Sequence, residues 1–430
     1  RRRTREALLS AIAKDVLSGS NVLEIGGDED VSLGLLSPSH LRSVSLKDFL
    51  GREDLENLRA NWDVIICHFL SDSATDIHRE LRGLASIAKQ HTRIILVTYN
   101  RLYVPILKFF TTVGLKSATE FSNYLSLRQL RAFAANASLR AIKERGAYPF
   151  VQARHHRYTS SISLSYLLPF RTFFAPFRFL ICRSESAPDS SLSVSIIVPA
   201  RNEAGNIRNL LRDVPRFANW QELIFVEGGS SDETWEIIKE VKKEPTSFPN
   251  FDHLDAIQQT GAGKGNAVRE GLNIARGDVV AIFDADLSVS GHALKDFFEL
   301  IREGRSEFVN GTRMIYDKES NAMQLLNVLG NNFFAKILSR RTGYKFSDVL
   351  CGTKMFFRKD YQKTYQVLQP VREADPFGDF ELLLGMSRQS LELAEFPVRY
   401  QARTYGSTNI SRFRDGGRLV KTILHSSSIR

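Results

Sequence analysis

Asp284 and Asp286 stand one residue apart, directly after the apolar run Asp278-Val279-Val280-Ala281-Ile282-Phe283. A short β-rich run ending in such a pair reads as a buried strand that delivers two carboxylates to a cleft at its carboxyl end. Oxygen ligands of this kind suit Mg²⁺ or Mn²⁺, which keep several waters and are shared between one or two protein carboxylates and substrate phosphates. The pair therefore points to a phosphorylated substrate. Taken alone, a D-x-D could equally be two acids that begin a solvated loop, so the surrounding elements have to decide.

Those elements recur in a fixed order. The run Val194-Ser195-Ile196-Ile197-Val198 predicts a strand leading into Pro199-Ala200-Arg201-Asn202-Glu203, and Ile207, Leu210, Leu211 and Val214 then mark an amphipathic helix. Leu223 to Glu227 predicts a second strand, followed by Gly228-Gly229-Ser230-Ser231-Asp232-Glu233-Thr234. Ser230 and Glu233 have the spacing of a capping box for the next helix, whose free amides could face a phosphate. Gly261-Ala262-Gly263-Lys264-Gly265-Asn266-Ala267 opens a further helix, with glycines for close backbone approach and Lys264 for positive charge. Gly265 stands where a Walker loop has Ser or Thr, so the loop is not of that type.

The chain has 430 residues, 43% of them hydrophobic and 25% charged, enough for two domains with substantial cores. A formal charge of +10 favours anionic partners: nucleotide phosphates, acidic lipid headgroups or nucleic acid. Nucleic acid is disfavoured, because the Arg and Lys residues are scattered and no helix-turn-helix, zinc-finger or RNA-recognition pattern accompanies them. Cys67, Cys182 and Cys351 lie far apart without metal-ligand spacing, which fits a reducing, cytoplasmic setting. The chain begins Arg1-Arg2-Arg3 rather than with Met, so a targeting signal could lie upstream. No uncharged apolar stretch reaches the ~20 residues of a spanning helix; Leu164 to Cys182 comes nearest and is broken by Pro169, Arg171, Pro176 and Arg178. Aromatic and basic residues alternate in Phe170–Phe179 and Arg412–Lys421, which suits peripheral contact at the cytoplasmic membrane face, with buried strand and packed loop as the competing readings of the first.

Two halves meet at the polar Ser/Pro stretch Arg183 to Ser191. In the first, strands are predicted at Asn21–Ile25, Asp63–Cys67 and Arg93–Val97, with a helix over Asp76–Ala88, an alternation that argues for a parallel sheet covered by helices. Leu23-Glu24-Ile25-Gly26-Gly27 and the elements after it resemble a class I methyltransferase domain over about residues 1–185. That resemblance implies S-adenosylmethionine beside Glu24, Gly26 and Gly27. The sequence departs from the pattern: Asp28, Glu29 and Asp30 replace the later glycines, and only Asp48 stands near the place of the ribose-binding acid. An active methyltransferase and a degenerate domain used for packing or acceptor recruitment are both open.

The second half resembles family 2 glycosyltransferases of the GT-A fold, in the branch around dolichyl-phosphate mannose synthase, over residues 193 to 415. The motifs that carry the resemblance are strand-Pro-x-Arg-Asn-Glu, strand-Glu-Gly-Gly-Ser-Ser-Asp-x-Thr, Gly-Lys-Gly-x-Ala and strand-Asp-x-Asp, in that order. It implies an α/β chain of two domains: a Rossmann-like methyltransferase-type domain at 1–185, a linker at 186–192, and a Rossmann-like, mixed-sheet GT-A domain at 193–430. It further implies a nucleotide-sugar donor held by Pro199, Ala200, Arg201, Asn202, Glu203, Glu227, Gly229, Ser230, Asp232, Lys264, Asp284 and Arg403, with Mg²⁺ or Mn²⁺ on Asp284 and Asp286.

On the acceptor side the same resemblance implies Arg313 and the motif Phe377-Gly378-Asp379-Phe380-Glu381. Asp379 is then the candidate base for an incoming hydroxyl, and Glu381 suits positioning or a structural ion pair. First-turn acids that complement a helix dipole are the alternative for both. Arg403, with Arg412 or Arg414, would clamp the diphosphate, against the alternative of a solvated basic face. The implied reaction is inverting hexosyl transfer to a polyprenyl or dolichyl phosphate, or to a saccharide hydroxyl of a cell-surface glycan.

Overall fold

The computed structural model describes residues 2–26, 36–51, 55–114, 123–147, 174–316, 325–365, 368–372, 375, 377–403, 405 and 412–425. The chain divides into two compact units, Arg1–Ser186 with Arg388–Ser390, and Ala187–Ser387 with Leu391–Ile429.

In the first unit the described strands are β1 (Asn21–Ile25), β2 (His40–Val44), β3 (Val64–His68), β4 (Arg93–Tyr99), β5 (Leu139–Ala147) and β6 (Phe177–Ser184), in the order β2-β1-β3-β4-β6-β5. The first four are parallel, as the alternation of strand and helix predicts. The sheet is nevertheless mixed, because β6 runs antiparallel to both β4 and β5. Phe179, Leu180, Ile181 and Cys182 of β6 are buried between its neighbours, so the aromatic-basic stretch from Phe177 onward is a core strand, while Phe174 before it is exposed. The helix Ile77–Ile87 starts where Asp76 accepts the Arg79 amide at 2.9 Å, and it buries Leu81, Leu84 and Ile87.

At the carboxyl ends of β1 and β3, Glu24 is fully buried and its Oε1 lies 2.7 Å from Nε2 of His68. Gly26 follows at φ +76°, and a Cβ there would lie 3.2 Å from the His68 carbonyl and 3.3 Å from Cβ of Leu46. Glycine is therefore required at this turn. Of the residues that the resemblance connects with S-adenosylmethionine, Gly27 lies outside the described residues, as do Asp28, Glu29 and Asp30.

The second unit holds β7 (Val194–Ala200), β8 (Gln221–Glu227), β9 (His253–Gln258), β10 (Val279–Ile282), β11 (Phe308–Thr312), β12 (Lys354–Phe357) and β13 (Leu393–Pro397), in the order β13-β11-β12-β10-β7-β8-β9. β10, β7, β8 and β9 are parallel, β12 is antiparallel to β10 and β11, and β13 is parallel to β11. Strands buried on both faces need near-continuous apolar runs, and β7, β8 and β10 have them. Ile196, Val198, Leu223, Phe225, Ala281 and Phe283 pack with Leu210, Leu294 and Phe297 into one core. At the amino ends of these strands the buried Glu222 is satisfied by Ser195 Oγ at 2.5 Å and by Arg276, whose Nη2 lies at 2.6 Å.

The path of the chain opens the cleft. From β7 it passes outward through β8 and β9, then returns to place β10 on the other side of β7. Ligand crevices form at such switch points, outside the carboxyl ends of the strands. The helix Lys264–Ile274 crosses this sheet closely, and a Cβ on Gly271 would lie 2.5 Å from Cγ2 of Ile197 and 3.2 Å from Cγ2 of Val226. Gly271→Ala is expected to destabilise the second unit by about 1–2 kcal/mol through overpacking, net of the gain in helix propensity. A lowered denaturation midpoint checks this; an unchanged one would show that the contact yields freely.

Candidate active site

β10 delivers Asp284 and Asp286 to the mouth of the sheet, and both carboxylates meet cations. Lys264, at the start of its helix, is ion-paired with Asp284. Arg403 Nη2 lies 2.7 Å from Asp286 Oδ2, while the amide of Ser288 donates to Asp286 Oδ1 at 2.9 Å. Burial alone would raise the Asp284 carboxyl, but Lys264, Lys354 and Arg403 outweigh it and hold the group below the ordinary carboxylate range. Burial likewise works against the charge on Lys264, and Asp284, Asp379 and Asp286 overcome it and push the ammonium up.

The loop from Asp348 to Lys354 closes the floor. A Cβ on Gly352 would collide with the Asp284 carboxylate and the Lys264 ammonium, so a side chain there would force this pair to shift. Lys354, at the start of β12, is fully buried; its Nζ donates to the Cys351 carbonyl and lies 2.5 Å from Oδ1 of Asp379. The loop is held in turn by Arg313, which forks onto Asp348 with Nε–Oδ2 at 2.7 Å and Nη2–Oδ1 at 2.9 Å. Its guanidinium also sits over the Tyr400 ring at 5.2 Å. The fork of Arg313, which the resemblance connects with the acceptor, is turned here onto a buried carboxylate.

The helix Asp379–Arg388 brings its first residue to Lys354 by two further contacts. Asp375 accepts the amides of Phe377 and Glu381 at 3.1 and 2.9 Å. Gly378, at φ +81°, packs on Gly265, where a Cβ would lie 2.9 Å from the Gly378 nitrogen. Glu381 does not share the cleft with Asp379. Its carboxylate pairs with Arg269 at 2.9 Å and accepts from the Tyr361 hydroxyl at 3.2 Å, which ties its helix to the helices Lys264–Ile274 and Arg358–Thr364. The pair with Arg269 is the kind of structural ion pair that its place on the helix suggested.

Around the end of β7, Pro199 and Ala200 lead to exposed Arg201, and Asn202 adopts φ +58°. The Asn202 amide donates to Ser230 Oγ at 3.0 Å, and the Ser231 amide returns to Asn202 Oδ1 at 2.8 Å. Glu227 is buried with both oxygens engaged, by the Ser230 amide at 2.6 Å and Gln258 Nε2 at 3.2 Å. Asp232 accepts from the Ala204 amide at 3.2 Å, from Thr234, and from the Tyr405 hydroxyl at 3.2 Å. Glu227 and Asp232, which the resemblance connects with the donor, also tie together the loops after β7 and β8. The capping box does not form. The helix begins at Thr234 with no side-chain cap from Glu233, because the Ser230 hydroxyl is taken by Asn202 and Asp232 meets the Thr234 amide instead.

Gly229 sits in this turn at φ +69° with open space where a Cβ would be. Glu203 faces the cleft from the β7 side, its Oε2 bonded to Asn206 Nδ2 at 2.6 Å. Burial pushes its carboxyl up to about 7, with Asn206 and Arg403 opposing and Asp286 and Asp284 adding to the rise.

Among the described residues no group of three or more His, Cys, Asp and Glu side chains is arranged as a metal cluster. Asp284 and Asp286 together still offer hard oxygen donors, and Mg²⁺ or Mn²⁺ needs no more than one or two protein carboxylates when a phosphate completes the shell. The donor set fits such an ion.

Asp375 yields a test of the local geometry. Burial, partly offset by the Glu381 amide, pushes its carboxyl from 3.8 up to about 6. The folded state then binds this proton more tightly than the unfolded chain, so stability is greatest below pH ~4 and falls as pH rises to about 6, by about 3 kcal/mol from this group. In Asp375→Asn that component is expected to vanish from the pH dependence of denaturation; an unaltered slope would refute the assignment.

Comparison with known proteins agrees with this architecture. Residues 195–365 match the family model Glycosyl transferase family 2. Glycosyltransferase AglD of Haloferax volcanii is 28% identical over 251 residues, 56% of this chain and 38% of that protein, so the chain spans well under half the length of this relative. A dolichyl-phosphate β-glucosyltransferase of Dictyostelium discoideum is 28% identical over 231 residues, 50% of this chain and 68% of its own. A dolichyl-phosphate hexose transferase of Haloferax volcanii is 25% identical over 232 residues, 54% and 92% respectively. The D-x-D pair and the Lys264 loop fall within residues 195–365, the stretch that the glycosyl transferase family 2 model matches, whereas Asp379 and Arg403 lie beyond it.

Proposed function

We propose that the chain transfers a hexosyl group from a nucleotide-diphosphate sugar to a polyprenyl phosphate of the dolichyl type, with inversion at the anomeric carbon. The observation that carries this reading is the convergence of Asp284, Asp286, Lys264, Arg403, Lys354 and Asp379 at the carboxyl end of β10 and the adjacent amino end of β12. Two of the relatives bear names that specify dolichyl phosphate, which supports the acceptor class.

The chemistry follows from charge. Departure of a nucleoside diphosphate leaves negative charge on the β-phosphate, and cations fixed at that point stabilise the transition state more than the ground state. Lys264 and Arg403 are those cations. In the free protein they rest on Asp284 and Asp286, and on donor arrival they turn to phosphate oxygens. Asp284 and Asp286 would hold Mg²⁺ or Mn²⁺, which when bound supplies further neutralisation of the diphosphate. Pro199 to Glu203 and the loop around Gly229 would line the nucleotide.

On the acceptor side, a phosphate oxygen is already ionised near neutral pH and attacks without a base. Asp379 is nearly buried and committed through Oδ1 to Lys354, which suits an acceptor of that kind. A saccharide hydroxyl is the second reading, favoured by the presence of a carboxylate at this place at all. Asp379→Asn separates the two: activity is expected to fall by roughly 10²–10⁴-fold if Asp379 takes a hydroxyl proton, and far less with a phosphate acceptor.

The reading itself is tested by release of nucleoside diphosphate in the presence of Mg²⁺ or Mn²⁺. Asp286→Ala is expected to abolish release while thermal unfolding remains cooperative. Normal turnover in that variant would contradict the assignment.

A further inference from the structure

We propose that the helix Val104–Thr112 of the first unit is a docking surface for an anionic lipid bilayer, lying in the plane of the headgroups. Leu102, Ile106, Phe109, Phe110 and Val113 recur at helical spacing along one side, and each is between 40% and 61% exposed. The opposite side, Val104, Leu107 and Thr111, is half-buried, and the helix has no fully buried residue. An amphipathic helix normally turns its apolar stripe inward. This one presents it outward.

The presentation is held from below. Asn100 is buried; its Nδ2 donates to the Ala175 carbonyl at 2.8 Å and its Oδ1 accepts the Leu102 amide at 3.1 Å. The Tyr103 hydroxyl donates to the Phe174 carbonyl at 2.8 Å, which sets Phe174, 53% exposed, beside the stripe. Exposed aromatic and aliphatic side chains fixed in this way are a surface for a partner rather than a fraying end.

Charge selects the partner. From Arg101 to Gly114 the sequence carries Arg101 and Lys108 and no Asp or Glu, and both basic residues are exposed. A second copy of this chain, related by a two-fold axis through the stripe, would bring these cations against their own copies. A bilayer with acidic headgroups instead pairs them with opposite charge while the rings enter the acyl boundary, the usual arrangement of an interfacial helix. Among the described residues no helix is long and apolar enough to cross a membrane, so the contact is one of lying on the surface. None of the donor or acceptor assignments enters this inference.

Flotation of the full chain with vesicles of phosphatidylcholine, with and without phosphatidylserine, tests it without any sugar donor present. The chain is expected to float with the mixed vesicles. Phe109→Ser combined with Phe110→Ser should lower the partition constant by on the order of a hundredfold, with the unfolding transition unchanged because both rings are exposed. Arg101→Gln combined with Lys108→Gln should lower binding to the mixed vesicles by roughly tenfold and leave the weak binding to phosphatidylcholine alone as it was. Failure of the unaltered chain to float, or equal flotation of the double Phe variant, would overturn the proposal. A dimer in sedimentation velocity that the double Phe variant dissociates, with no change in flotation, would overturn it in favour of a second copy.

Discussion

Three carboxylates and three cations share the carboxyl edge of the second sheet, and the cleft exists only because each acid has a cation within contact. Asp284 meets Lys264, Asp286 meets Arg403 and Asp379 meets Lys354. Of the three, only Lys354–Asp379 is buried on both sides, and removing one member of such a pair leaves an uncompensated charge, a cost of roughly 3–5 kcal/mol. The arrangement is therefore mutually enforcing. Its partners come from separate segments of the chain, so the pairs also fix how the helix Lys264–Ile274, the loop ending at Lys354 and the helix Asp379–Arg388 meet.

Close approach of these segments is a steric matter before it is an electrostatic one. Gly352 presses on Asp284 and Lys264, and Gly265 presses on Gly378. Bracing contacts then work outside the cleft: Glu381 with Arg269, Arg313 with Asp348, Asp375 with the amides that open its helix. On the function proposed above, a diphosphate would offer Lys264 and Arg403 new anionic partners, and the carboxylates they leave would suit a divalent cation.

Much of this was legible in sequence because the parallel strands are apolar on both faces and end in turns of distinctive composition. The predicted strands at Asn21–Ile25, Leu223–Glu227 and Val194–Val198 and the helix after Lys264 all form, with ends shifted by a few residues at most. Long-range pairing was not legible. Nothing local to Lys354 says that its ammonium will lie on Asp379, and Asp375 gives no periodic signal that it will cap the helix ahead of Glu381. β5 shows the same limit in the first unit: Lys143, in a strand rich in charge, is fully buried against Asp15 at 2.6 Å. The Ser230–Glu233 capping box failed for a related reason, since spacing identified a competent hydroxyl that the Asn202 amide already occupies.

In the function proposed above, the paired charges around Gly352 are the seat of the donor diphosphate. Calorimetric titration of nucleoside diphosphates with Mn²⁺ into the unaltered chain and into Gly352→Ala tests it most directly, because the added methyl group would fall on Asp284 and Lys264 while touching no bracing contact described above. At least one nucleoside diphosphate is expected to bind the unaltered chain, and to bind the variant at least roughly tenfold more weakly. Equal binding to the two proteins, or none to either, would contradict it.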